Sequence, residues 1–173
     1  MSDVAALGRS IGMKMPFGPA PAGLERRLPD WESRLITLAR LNSRRPYDYG
    51  VFDCAVFAKM AVHAVTGVTL LPGIELPKGF LGAAKFLIRH DLANVEELAA
   101  AALGFPPGDP ARSRLGDIVV HMMGGEHHLA VRVGDAALMP AVNGLEVIER
   151  GHWTASFAIG WNPAAETADI EHG

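Results

Sequence analysis

The apolar positions of the chain change rhythm between residues 104 and 116. Before that stretch they recur every three or four residues, the spacing of one helix face; after it they come in short runs and alternations, the spacing of strands. Trp31, Leu35, Leu38 and Leu41 predict a first amphipathic helix. Asp30 is placed to cap it, with Glu32 and Ser33 in its first turn, and Arg44-Arg45-Pro46 ends it. A second helix is expected from about Asp53 to Thr66, with Cys54, Phe57, Ala58, Ala61, Val62 and Val65 on one face and Gly67 closing it as a C-cap. Two shorter helices follow, at about Leu81–His90 and Val95–Leu103, the latter opened by Asn94 and Glu97 in the spacing of a capping box.

Pro106-Pro107-Gly108-Asp109-Pro110 breaks the helical half. Ile118–His121 then reads as a strand entered by a Gly116-Asp117 turn, and His128–Val133 as a second. Residues 137–142 and 145–149 read as a hairpin across Asn143-Gly144, and Ala158–Trp161 as a last short strand. Helices first and a small antiparallel sheet after make an α+β domain. Its limits are residues 30–161. Residues 1–29 form an extended arm rich in Pro and Gly, and residues 162–173 a weakly ordered tail.

Composition narrows the function classes. The chain has 173 residues, 49% of them hydrophobic, and a formal charge of −3, which suits one globular domain. The balance lacks the basic excess of a nucleic-acid binder. No run approaches the ~20 apolar residues of a membrane span, and the start lacks the pattern of a signal peptide. Synthesis as a soluble chain without membrane insertion is therefore expected.

There is a single cysteine, Cys54, so no intramolecular disulfide can form. By position alone it reads as a small core hydrophobe. Its surroundings point elsewhere. The glycine-bearing turn Tyr47-Asp48-Tyr49-Gly50-Val51-Phe52-Asp53 delivers it to the first turn of a helix, where unpaired backbone N–H groups stabilise negative charge. A lowered thiol pKa is expected there, and the same N–H groups could hold an oxyanion. Asp53 sits where an N-cap belongs; a catalytic carboxylate is the weaker reading because adjacent side chains diverge.

Of the seven histidines, His63, His90 and His172 read as structural or solvated, and His121, His127, His128 and His152 fall in the sheet half. His128 heads a strand, the geometry a cysteine–histidine dyad needs. Glu126-His127-His128 could suggest zinc, but neighbours on a strand face opposite ways and no His-Glu-x-x-His helix is present. No metal or cofactor is expected.

Tyr47-x-Tyr49-Gly50-x-Phe52-Asp53-Cys54, then Gly116-Asp117-Ile118-Val119 and His128-x-x-Val131-x-Val133-Gly134, resemble the NlpC-type, papain-like cysteine peptidases. Trp31, Leu35, Arg45-Pro46-Tyr47 and Thr66-Gly67 extend the likeness to a phage and prophage family of NlpC-like domains, long catalogued as a domain of unknown function. The resemblance implies a papain-like fold, Cys54 as nucleophile, His128 as base and Tyr47 at the oxyanion site. It implies cleavage of peptidoglycan stem peptides, and phage-tail proteins as partners. A bacterial cytoplasmic origin and carriage in a phage-like particle follow from the same likeness.

Two departures matter. The family's third polar residue lies on the strand after the catalytic histidine, where this chain has Leu138-Met139-Pro140-Ala141; His121, Glu126 and Asn143 are the candidates to replace it. Ala55 stands where a small polar residue usually follows the cysteine. A catalytically weak or inactive structural component of a phage-like tail is therefore the second reading.

Overall fold

The computed structural model describes residues 13–165. These fold as four helices, α1 (Trp31–Asn42), α2 (Cys54–Thr66), α3 (Phe80–Arg89) and α4 (Val95–Leu103), followed by strands β1 (Ile118–Met123), β2 (Glu126–Arg132), β3 (Ala137–Ala141), β4 (Gly144–Ile148) and β5 (Trp153–Phe157). The strands make one antiparallel sheet in the order β4-β3-β2-β1-β5. The class is α+β, as the sequence pattern predicts. No helix among the described residues is long and apolar enough to cross a membrane.

Local chemistry sets most element boundaries. The Asp53 carboxylate accepts the Val56 N–H at 2.8 Å and starts α2; Gly67, at φ 78°, ends it. All six residues expected on the inner face of α2 are buried. Asn94 accepts the Glu97 N–H at 3.0 Å to start α4. Glu97 reaches back one residue beyond the usual box, to the Ala93 N–H at 2.7 Å.

Three expectations need correction. Asp30 precedes α1, but its side chain caps nothing, because its backbone (φ −106°, ψ 20°) lacks the extended cap conformation. Leu41 is 77% exposed, and the buried residue at that end is Asn42, whose amide donates to the Leu38 carbonyl at 2.8 Å. The last strand is Trp153–Phe157, not 158–161. Phe157 pairs with Ile118, and the chain then leaves the ladder to meet Asp117.

The sheet cannot be flat. β4 and β5 are its opposite edges, yet residues 149–152 alone join them, three of them in a 3-10 turn. Strands about 4.8 Å apart would put those edges ~19 Å away from each other. A 3-10 turn rises only about 2 Å per residue, so the sheet must curl until the edges approach. The Trp153 indole N–H accordingly donates to the Ile148 carbonyl at 3.2 Å. The concave face holds Val119, His121, Ala130, Met139 and Trp153, all buried. The other face carries Ile118 and Leu129, which meet Ala58 and Val62 of α2 and Leu98 and Ala102 of α4 around a cavity of about 40 Å³.

Asp117, fully buried at the head of β1, ties the segments before α1 and after β5 to this body. Its Oδ1 accepts the Ile159 N–H and the Trp161 indole N–H, both at 2.9 Å, and Arg27 Nη2 at 3.1 Å; its Oδ2 accepts the Arg114 N–H at 2.8 Å. Arg27 also donates to the Ile159 carbonyl at 2.8 Å. The described part of the arm, residues 13–29, thus lies on the body of the domain, with Phe17 and Leu24 packed against its core. Residues 1–12 and 166–173, most of the expected tail among them, lie outside the described residues.

Asp117→Ala would remove the acceptor these donors share, the buried Ile159 N–H among them. It is expected to destabilise the fold by about 3–5 kcal/mol, measured by urea unfolding. A loss under 1 kcal/mol would mean the carboxylate does not join these segments.

Candidate active site

The turn before α2 is closed by one carboxylate. Asp48 and Phe52 bridge across it, and Asp53 Oδ2 accepts the Gly50 N–H at 2.7 Å while Oδ1 caps the helix. Both oxygens of Asp53 are thus engaged in positioning, which agrees with the N-cap reading and leaves no free oxygen for proton transfer. Cys54, the first residue of α2, is 7% exposed.

The sulfur faces the edge of β2. The Arg132 N–H donates to the Asp117 carbonyl on the β1 side, so the alternate amides of β2, Leu129 among them, point toward β3. β3 pairs with β2 only at Val131/Leu138 and Arg132/Ala137. Beyond these pairs the strands part, and the Leu129 N–H turns to the Cys54 thiol instead. The fold therefore brings the residue after His128 against Cys54, although the two segments are far apart in sequence.

The thiol does not behave as its helix position predicts. The N–H groups of Leu129, Ala55 and Cys54 favour the thiolate, but burial outweighs them and the Asp53 carboxylate adds to it, pushing the thiol up to about 11. An expected lowering has become a rise, because the helix terminus that would stabilise charge is itself cut off from water.

Tyr47 stands on the same side. Its N–H donates to the Ala141 carbonyl at 3.0 Å, fixing it to the end of β3. Burial, a hydrogen bond shared with Tyr49 and the neighbouring Cys54 raise its hydroxyl far above the ordinary phenol value, so it remains a donor.

The histidines divide by face. His127 pairs with Glu96 of α4 at 3.2 Å, and His128 points the other way, onto His121. Those two rings lie 5.4 Å apart and 26° from parallel, cross-strand neighbours on β1 and β2. His121 is 2% exposed, and its Nε2 lies 3.1 Å from Met139 Sδ. Burial, with His128 and His152 nearby, lowers it to about 4. Of the three candidates for an orienting group, only His121 touches His128, by stacking. Glu126 is exposed beside the Gly124-Gly125 turn, and Asn143 is exposed in the Val142-Asn143 turn; neither hydrogen-bonds to His128. Among the described residues no group of three or more His, Cys, Asp or Glu side chains is arranged to hold a metal ion.

Sequence reasoning missed two features here. The β1–β2 hairpin turns on Gly124-Gly125, both at positive φ, a signal that was present in the sequence. The contact between Tyr49 and Phe80, at 6.0 Å, left no sequence signal because it joins a turn to a different helix.

Residues 26–159 match the family model described as "Domain of unknown function (DUF6950)", and the chain belongs to that family. No curated protein matches the chain.

The His121 shift has a consequence for stability. Its folded value, about 4, lies below the ordinary 6.5, so an unfolded chain binds a proton that the folded chain refuses between those limits. Its contribution is intact above pH 6.5 and is lost as the pH falls through 4. The loss should be on the order of 3 kcal/mol. Urea unfolding at pH 7 and pH 4 should show it in the wild type and not in His121→Phe. Parallel losses in both proteins would contradict it.

Proposed function

We propose that this chain is a papain-like, NlpC-type cysteine peptidase or amidase that cuts stem peptides of peptidoglycan and is carried with the tail of a phage-like particle. The observation that supports it is the approach of the Leu129 N–H to the Cys54 thiol, which brings the backbone of the residue after His128 to the start of α2.

In this reading the thiol rests protonated, so its proton leaves as attack occurs and not beforehand. His128 takes the proton while the sulfur bonds to the amide carbonyl carbon. The carbonyl oxygen becomes an oxyanion, received by the Tyr47 hydroxyl and by backbone N–H groups around Cys54. The C–N bond then breaks as His128 returns the proton to the leaving amine. Water, deprotonated by His128, cleaves the resulting thioester and restores the thiol. Asp53 positions Cys54, and His121 limits the tilt of the His128 ring by stacking.

The second reading, a structural or assembly component with a weak or silent site, is favoured by one observation. The position where a polar orienting group would stand carries Met139, and its sulfur meets His121 instead of His128.

Purified peptidoglycan incubated with the full chain separates the two. Release of soluble muropeptides is expected from the wild type, none from Cys54→Ala, and at least about 100-fold less from His128→Ala. Equal release from wild type and Cys54→Ala would overturn the enzyme reading. Absence of release from all three would favour the assembly component.

A further inference from the structure

The turn that presents Cys54 also begins a row of aromatic rings. Tyr47 meets Tyr49 edge-on, with centroids 4.9 Å apart and planes at 86°. Tyr49 meets Phe80 in the same manner, at 6.0 Å and 73°. The inner end belongs to the turn that Asp53, the residue before Cys54, closes at Gly50. The outer end lies in solvent, since Phe80 is 60% exposed.

The row is held in place at two points. Tyr47 is tied to the Ala141 carbonyl. Gly50, at φ 75°, lies so close to the Pro77 carbonyl that any side chain there would overlap it. That contact clamps the 77–79 stretch against the turn, and Phe80 is the next residue and the first of α3. An exposed phenylalanine at a helix start adds little to a core. At the outer end of edge-to-face rings it offers one flat apolar face to solvent, held by Tyr49.

Aromatic surfaces of this kind accept a ligand with a flat face of C–H groups and polar edges. A peptidoglycan stem peptide is built of small, acidic and diamino residues and has no such face; the pyranose rings of the attached glycan do. We propose that the Tyr47–Tyr49–Phe80 row is a saccharide-binding wall, which holds the amino sugar joined to the stem peptide while the amide lies at Cys54. This rests on the peptidoglycan reading above.

Calorimetric titration of the Cys54→Ala protein, which leaves its ligand uncut, tests it with two probes: a disaccharide-tetrapeptide and the same tetrapeptide without sugar. The sugar-bearing probe should bind at least about fivefold more tightly. Phe80→Ala in that background should remove the difference, and Phe80→Trp should keep it. With Cys54 intact, Phe80→Ala should raise KM for the sugar-bearing substrate by the same factor and leave kcat unchanged. Equal binding of the two probes, or a preference that Phe80→Ala does not alter, would overturn the wall. If the wild type still cleaves the sugar-free peptide as well as the other, the peptidase reading survives that failure. If neither probe binds and neither is cleaved, both ideas fall.

Discussion

Residues 149–152 join the two opposite edges of the sheet, and the site depends on that short link. A sheet whose edges must nearly meet has a concave face with room for few side chains. Here that space takes His121, Met139 and Trp153 beside small residues such as Ala130. The curl also explains how His121 of β1 reaches Met139 of β3 across the intervening strand. With β3 paired to β2 over two residue pairs only, a gap opens at the Leu129 amide, and the start of α2 fills it.

Two buried carboxylates hold this arrangement by accepting N–H groups. Asp53 fixes the turn and the helix start, and Asp117 fixes the arm, the head of β1 and the segment after β5. Each is placed where removing it would leave several donors without partners, which is costly inside a protein. The same exclusion of water acts on the neighbouring titratable groups. It pushes the Cys54 thiol up and His121 down, favouring the uncharged form of both. A site built this way stores no thiolate at rest; charge appears only as a proton moves.

The legible parts of the fold were those set by neighbours in sequence. The Asp53, Gly67 and Asn94 caps and the inner face of α2 follow from side chains within a turn of one another, as does the presence of the β3–β4 hairpin, although its turn is Val142-Asn143 and Gly144 already pairs with Ala141. Leu41 and the last strand were misread because tertiary contacts decide them. Leu41 projects from the end of α1 and is 77% exposed, and β5 is fixed by pairing with β1, not by its own apolar run. Within the site, the Asp53 cap could be read from its position; the place of His121 beside His128 could not, because it follows from the register of β1 on β2. The thiol's rise could not be read, because a helix terminus and its burial have opposite effects and sequence shows only the first. The row from Tyr47 to Phe80 could not be read either, since it depends on how the Gly50 turn meets the Pro77 backbone.

The central claim is that Cys54 rests as a neutral thiol in a desolvated cleft between α2 and β2. Because it is the sole cysteine in the chain, its S–H stretch is unambiguous in a Raman spectrum of the native protein. That band should persist through neutral pH and disappear only toward pH 11, above the ordinary thiol value. Its absence at pH 7, with recovery on acidification, would reveal a resting thiolate and contradict the account.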